Sequence, residues 1–392
     1  MDHITSYHQY FALKSEDFEA ALAAKKNSPG SFAFETKVGG FPSFFAYDPA
    51  LIDLVVMLTE KNAALNHGYS LLPPMAKNQW IRNSLIEDVK DTNEIEGIFS
   101  TKKDVFSLLE DLKKRNKSKI GSIIDQYVFL TRPGSLRLIE PADVRAIYDL
   151  VMGPSIQKSD PSDLPDGILF RKGPVGIYDG AMTKAIHNGL FPEDAIVKTI
   201  AEALAILRNK NLNFFVRVAL FHFFFEFAHP FYDGNGRTGR FIVSSLFRED
   251  ASALFAFKVS SSIKEEKERY YKAFVETEDP RNRGDVSTFV WAFLKILCAG
   301  YEKALASSAA DQKKWIALSR KAAPMVTSKT EKDILEILSQ ASVYSDFGLT
   351  MGDLVSASGA SLSSVNRFMA KLRKDGAVKA TSFGKKDYFV LN

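Results

Sequence analysis

Apolar residues recur at helical spacing through most of the chain. Asp48-Pro is a good helix start. The segment LIDLVVMLTEKNAALN after it predicts a helix reaching the Gly68 region, and a second follows Pro73-Pro74 through MAKNQWIRNSLIEDVKDTNEIEGI. Residues 101 to 160 predict three more, DVFSLLEDLKKR, GSIIDQYVFLT and PADVRAIYDLVM, separated by charged or proline turns. The texture changes over 164 to 190, LPDGILFRKGPVGIYDGAMTKAIHNGL. Glycines and β-formers alternate there, predicting a hairpin of Ile168 to Arg171 with Val175 to Tyr178 around Lys172-Gly-Pro174. Pro192-Glu-Asp then caps the helix AIVKTIAEALAILRN, and NFFVRVALFHFFFEFA predicts another, with helices continuing to about Leu305. An Ala/Ser/Lys-rich stretch covers 304 to 328. Residues 329 to 392 predict three short helices (TEKDILEILSQ, TMGDLVSAS, SLSSVNRFMAKLRKDG) and a hairpin, AVKATSFGKKDYFVLN, turning at Phe383-Gly384. Residues 1 to about 47 are mixed and mildly aromatic, with turns at Asn27-Ser-Pro-Gly30 and Gly39-Gly-Phe-Pro42, and suggest no chemistry.

Composition narrows this picture. A length of 392 residues suggests two or three domains, and 46% apolar with 12% aromatic content is ample for a sizeable core. The single cysteine, Cys298, excludes an internal disulfide and any cysteine metal cluster. The start, MDHITSYHQYF, lacks a basic segment followed by an apolar one, so no secretory signal is expected. The most apolar window, 214 to 231, is broken by Arg217, His222 and Glu226 and is too polar to span a membrane. The expectation is a soluble cytoplasmic protein without membrane association. A formal charge of +4, spread along the chain, argues neither for nor against nucleic acid.

The candidate chemistry lies in His229-Pro-Phe-Tyr-Asp-Gly-Asn-Gly-Arg-Thr-Gly-Arg240, a polar loop between strongly apolar flanks. Gly234 and Gly236 can take positive φ at little cost, which lets successive N–H groups turn toward one point as an anion nest. The helix predicted after Arg237 adds a positive N-terminus, and Arg237 and Arg240 can fork onto phosphate oxygens. His229, near its ordinary pKa of about 6.5, can take a proton from a hydroxyl. Asp233 supplies the single carboxylate that Mg²⁺ usually takes beside bound phosphates. The substring Gly234 to Gly239 also fits GxGxxG, but that fingerprint needs a strand before it and an acid about twenty residues on. The acids near there, Glu265 and Glu266, belong to the solvated run KEEKER.

His229, Pro230, Phe231, Gly234, Asn235, Gly236, Arg237 and Arg240 fill every fixed position of HPFxxGNGRxxR, so the chain resembles the Fic family, over roughly residues 48 to 305. The resemblance implies a mainly α fold, a Fic helical core with a β-hairpin flap. It implies His229 as general base, Phe231 as an apolar anchor and Asp233 as the Mg²⁺ ligand. Gly234, Asn235 and Gly236 would form the anion hole, with Arg237 and Arg240 on the β- and γ-phosphates. The implied activity is protein adenylyltransfer, AMP passing from Mg·ATP to a Ser, Thr or Tyr hydroxyl of a protein target, possibly the protein itself. Transfer of another phosphate-linked group is the rival within enzymology, since the motif holds phosphates and not the base. The flap, about 164 to 190, would pair with an extended segment of the target.

Thr92-Asn-Glu-Ile-Glu96-Gly97 matches the family's (S/T)xxxE(G/N) inhibitory motif. This resemblance (class II, with the inhibitory helix before the core) implies that Glu96 pairs with Arg240, occupies the γ-phosphate site and holds the enzyme back. Thr92 and Glu96 share a helix face and Gly97 lets the chain leave it. His222, Glu226 and His229 fall at i, i+4 and i+7; they read as a metal site or as buried polar support, the spacing not being HExxH. Tyr270 and Tyr271 read equally as nucleotide-pocket walls or as aromatic core.

The organisation expected is 1–100 with the inhibitory helix, 101–305 the catalytic core, 306–328 linker or helix, and 329–392 a small domain. That last order resembles a winged helix-turn-helix, with Ser361 to Lys374 as recognition helix and Ser363, Ser364, Asn366, Arg367 and Lys371 outward. Arg367, Lys371, Arg373, Lys374, Lys385 and Lys386 cluster moderately. DNA binding and protein docking or homo-oligomer formation are both open. A third reading is a DNA-bound regulator whose core only senses nucleotide.

Overall fold

The computed structural model describes residues 5–118, 120–131, 134, 136–178, 185–383 and 386–392. The chain opens with α1 (Ser6–Ala12) and α2 (Ser15–Lys26), then a hairpin of β1 (Ser31–Val38) and β2 (Phe41–Ala46). Helices follow: α3 (Pro49–Ser70), α4 (Pro74–Ile95), α5 (Lys102–Glu110), α6 (Leu112–Lys117), α7 (Gly121–Phe129), α8 (Pro141–Val151) and α9 (Gly153–Ser159). A second hairpin, β3 (Gly176–Tyr178) with β4 (Ala185–Asn188), precedes α10 (Glu193–Arg208), α11 (Phe214–Ala228), α12 (Asn235–Asp250), α13 (Val259–Glu265), α14 (Lys267–Glu278) and α15 (Ser287–Ala322). The chain ends with α16 (Lys329–Tyr344), α17 (Met351–Ser358), α18 (Leu362–Lys374) and the antiparallel pair β5 (Val378–Phe383) and β6 (Lys386–Leu391). The fold is mainly α. Among the described residues no helix is long and apolar enough to cross a membrane.

Two compact units emerge, Met1–Ala63 with Asp88–Tyr301 and Ala64–Glu87 with Glu302–Asn392. In the first, α11 is apolar on every side and buried along nearly its whole length, as a central helix must be. Phe223 stacks on Phe274 and on Phe227, and Phe255 lies flat on Tyr301 with ring centroids 3.6 Å apart. Residues 5–46, which suggest no chemistry by pattern, are fastened to this core by polar groups. Fully buried Asp285 accepts from Ser6 Oγ and Lys25 Nζ. Burial pushes its carboxyl up, but Lys25, Ser6 and Ser287 outweigh that and hold it below the usual range. Glu202 of α10 accepts from the β1 amides of Glu35 and Thr36, at 2.6 and 3.0 Å.

The structure corrects three expectations. The hairpin pairs Gly176 with Asn188 and Ile177 with His187, so its strands lie downstream of the ones expected. Ile168 to Arg171 are not a strand because Glu193, at the start of α10, takes the N–H groups of Ile168, Leu169 and Phe170. The Arg171 N–H goes to the Pro230 carbonyl. Residues 179–184 of the expected flap, and the turn residue Gly384, lie outside the described residues. DVFSLLEDLKKR breaks into α5 and α6 because the Asp111 carboxylate caps the N–H groups of Lys113 and Lys114. The helix expected to end near Leu305 continues to Ala322, since good helix formers fill 304 to 322 and Pro324 is the first breaker.

In the second unit Ile334, Leu338, Leu354, Val365, Phe368, Leu372 and Phe389 form one apolar cluster, with Met75 packed against it. Val365, Phe368, Met369 and Leu372 give α18 its buried face, leaving Ser363, Asn366 and Arg367 exposed. Lys371 was expected outward. Its ammonium turns back to the Met325 carbonyl, 2.8 Å away, which satisfies an otherwise free acceptor.

Candidate active site

The polar loop joins α11 to α12. His229 ends α11 in the left-handed region (φ 48°, ψ 63°), a conformation costing a non-glycine residue about 1 kcal/mol or more. Fully buried Arg171 holds it there. Its Nε donates to the His229 carbonyl (2.8 Å), and its remaining N–H groups reach the carbonyls of Gly173, Leu190 and Ala228. Arg171 was expected in a flap strand; the pattern does not reveal its role, because its acceptors lie up to 58 residues away.

Phe231 is fully buried, stacked on Tyr148 at 3.7 Å with its edge toward Phe170. Asn235 locks the turn from the other side, its Oδ1 accepting from the Phe231 N–H and its Nδ2 donating to the Phe231 carbonyl. The Asn235 side chain is therefore spent on the loop, leaving its backbone N–H for a ligand. Gly234 takes φ +86° at the start of α12, with Met152 packed where a side chain would go. Gly236 is helical, not positive in φ. Its need for glycine is close approach, since a Cβ would sit 2.4 Å from Glu96 Oε1 and 2.8 Å from an Arg240 nitrogen.

The two arginines face different partners. Arg237 donates to both Asp233 oxygens at 3.0 Å, and the Gly234 N–H also reaches Asp233. Arg240 is buried on the cavity wall, its Nε on Thr92 Oγ1 (2.9 Å) and its Nη2 on the Thr92 carbonyl (3.1 Å) and Glu96 Oε1 (2.7 Å). Burial works against the Arg240 charge and Glu96 more than restores it, so its pKa is raised. Burial pushes the Glu96 carboxyl up, but Arg240, then Arg237 and His229, hold it below its ordinary range. The pair is therefore ionised. Glu96, His229, Asp233, Gly236 and Arg240 line one cavity of about 200 Å³ with Tyr270 and Tyr271.

Burial, then the charges of His187 and Arg171, push the His229 ring down to about 3, so it is neutral at cellular pH. It is a poorer base than the unperturbed ring anticipated. A bound polyphosphate would raise it again by its negative charge. Burial likewise drives His222 down to about 3 and Glu226 up to about 8, making both neutral near pH 7. His222 Nε2 lies 2.9 Å from the Tyr270 hydroxyl. Among the described residues no group of three His, Cys, Asp or Glu is placed to hold a metal ion, and His229 leaves the helix face carrying the other two. Tyr270 is both core and cavity wall; Tyr271 is more than a third exposed.

The end of α4 that carries Thr92 and Glu96 is fastened by groups no local motif reveals. Buried Asp88 accepts from the Ser260 N–H (2.9 Å) and hydroxyl (3.0 Å). Lys264 Nζ bridges Asp91 (2.8 Å) and Glu94 (2.7 Å), and Lys267 Nζ caps the Ile95 carbonyl (3.0 Å). Gly97, at φ +76°, then turns the chain away.

Residues 138–247 match the family model described as Fic/DOC family. A protein of Aquifex aeolicus (strain VF5), named a probable protein adenylyltransferase, is 35% identical over 74 residues. That match covers 19% of this chain and 21% of the relative, so the chain spans about a fifth of that protein's length. A solved Fic family protein from Desulfovibrio desulfuricans G20 superposes with a TM-score of 0.52 at 20% identity, covering 88% of this chain and 97% of that one. Fic-1 from C. elegans superposes with a TM-score of 0.46 at 18% identity, over 67% of this chain and 75% of that one. The chain therefore carries a Fic/DOC family domain at residues 138–247, within a fold shared with a solved Fic family protein.

Proposed function

We propose that this protein is a protein adenylyltransferase that passes AMP from Mg·ATP to a hydroxyl of a protein target and is held back by Glu96. The observation that carries the reading is the convergence of a neutral His229, a half-exposed Asp233, the α12 N-terminus and Arg240 on one cavity. The target oxygen attacks the α-phosphorus, the bond to the β-phosphate bridging oxygen breaks, pyrophosphate leaves, and the hydroxyl proton goes to the His229 ring. The first-turn N–H groups of α12, which have no helical acceptor, and Arg240 would stabilise the charge that develops. Asp233, a half-exposed carboxylate on the cavity wall, suits Mg²⁺, since that ion takes most of its shell from water and phosphate. Bound there, the ion would supply charge neutralisation at the phosphates. Arg237, now on Asp233, would be free to turn to phosphate once the carboxylate is engaged.

Position-labelled ATP tests the reaction. Label from the α-phosphate should stay on protein and label from the γ-phosphate should leave as pyrophosphate. Retention of γ-label in place of α-label would make the reaction phosphate transfer instead.

The brake depends on more than Glu96. Lys264→Ala should raise AMP transfer about two- to fivefold with Glu96 intact, since two partly exposed ion pairs contribute about 0.5 kcal/mol each. The same change in a Glu96→Gly background should do nothing further. Equal effects of Lys264→Ala in both backgrounds would remove Lys264 from the brake.

A second reading concerns 329–392, which resembles a winged helix-turn-helix. Charge is segregated within it: α18 carries Arg367, Lys371, Arg373 and Lys374 and no acid, whereas α16 and α17 carry four acids against two lysines. Duplex DNA should bind the full chain with affinity falling roughly 40-fold to 150-fold between 50 and 200 mM salt, for three or four phosphate contacts. Fluorescence anisotropy with wild type and Arg367→Ala checks this. Salt-insensitive binding, or no loss in Arg367→Ala, would point to protein docking.

A further inference from the structure

His187, on β4, is buried, and each of its ring nitrogens faces an acceptor. Nδ1 lies 2.6 Å from Glu278 Oε2 at the end of α14, and Nε2 lies 3.0 Å from the Phe227 carbonyl at the end of α11. The one ring therefore bridges the end of α14 and the end of α11, whichever of its nitrogens carries the proton. The contact falls at a sensitive place. The left-handed turn at His229 leaves the last carbonyls of α11 without helical donors. Phe227 is capped by His187, and Ala228 by the Leu190 N–H on the segment leaving β4. The His187 and His229 ring centroids are 6.0 Å apart, and both rings and Glu278 line the same cavity. Neither His187 nor Glu278 belongs to the twelve-residue loop.

We propose that His187, oriented by Glu278, is a positioning residue: its ring joins the hairpin strand to the end of the helix that presents His229. A protein segment lying along the hairpin and the base that receives its proton are thereby held at a constant separation. The role in catalysis rests on His229 being the base, as in the reading above; the ring's bonding does not.

Two measurements separate the two. Long-range nitrogen–proton NMR of histidine-labelled full-length protein should show one ring held in a single hydrogen-bonded arrangement, its nitrogen signals absent in His187→Gln and shifted in Glu278→Gln. His187 signals unmoved by Glu278→Gln would overturn the proposal whether or not AMP transfer occurs. In a Glu96→Gly background, His187→Gln should slow self-modification on the order of tenfold, the scale expected of a displaced base. KM for ATP should change by less than about twofold, because the phosphate contacts are elsewhere. An unchanged rate in a folded His187→Gln protein would refute the positioning role, and Glu278→Gln, which keeps the side chain's shape, repeats the test if His187→Gln does not fold.

Discussion

Replacing Glu96 by glycine should, on the proposed adenylyltransfer, raise the rate of AMP transfer about tenfold to a hundredfold. The Glu96 carboxylate sits 2.7 Å from Arg240, ionised and hydrogen-bonded, on the wall of the cavity where a triphosphate would end. A charged hydrogen bond of this kind is worth about 1.5 to 3 kcal/mol, and a phosphate must displace it before Arg240 can serve. Glycine removes the competitor and leaves Arg240 anchored by the Thr92 hydroxyl and carbonyl. Initial rates with α-labelled ATP measure the gain. Equal rates for the mutant and the unaltered protein would rule the brake out.

On the same proposal, replacing His229 by alanine in the Glu96→Gly background should lower the rate by about 10² to 10⁴, the usual contribution of a general base. ATP affinity should change little, because Arg240 and the α12 N-terminus are untouched. The left-handed backbone at 229 is held by Arg171 through the carbonyl, so alanine should keep the loop's course. Titration calorimetry beside the rate assay distinguishes the two effects. A variant that loses ATP binding along with activity would make His229 a structural residue.

The parts of this site readable in the sequence are those that lie close along the chain. The twelve residues from His229 to Arg240 and the helix α4 with the Glu96-Gly97 turn after it each declare themselves locally, and the 3.6-residue pattern locates α11 and α12 on either side of the loop. What was hidden depends on contacts across the fold. Arg171 reaches carbonyls at 228 and 229, Lys264 reaches back to Asp91 and Glu94, and His187 meets Glu278, 91 residues on. The hairpin register was misread because Glu193 captures amides that the local pattern assigned to a strand. The basicity of His229 was overestimated for the same reason: a sequence shows the imidazole and not its burial or its cationic neighbours. The length of α15 was legible in principle, since nothing between 304 and 322 opposes a helix.

Intact-protein mass after incubation with Mg·ATP tests the central claim most directly, for Glu96→Gly beside Glu96→Gly, His229→Ala. The proposed chemistry predicts a gain of one AMP on the first protein that is absent from the second. An equal gain in both would remove His229 as base, and no gain in either, with or without added candidate targets, would contradict adenylyltransfer.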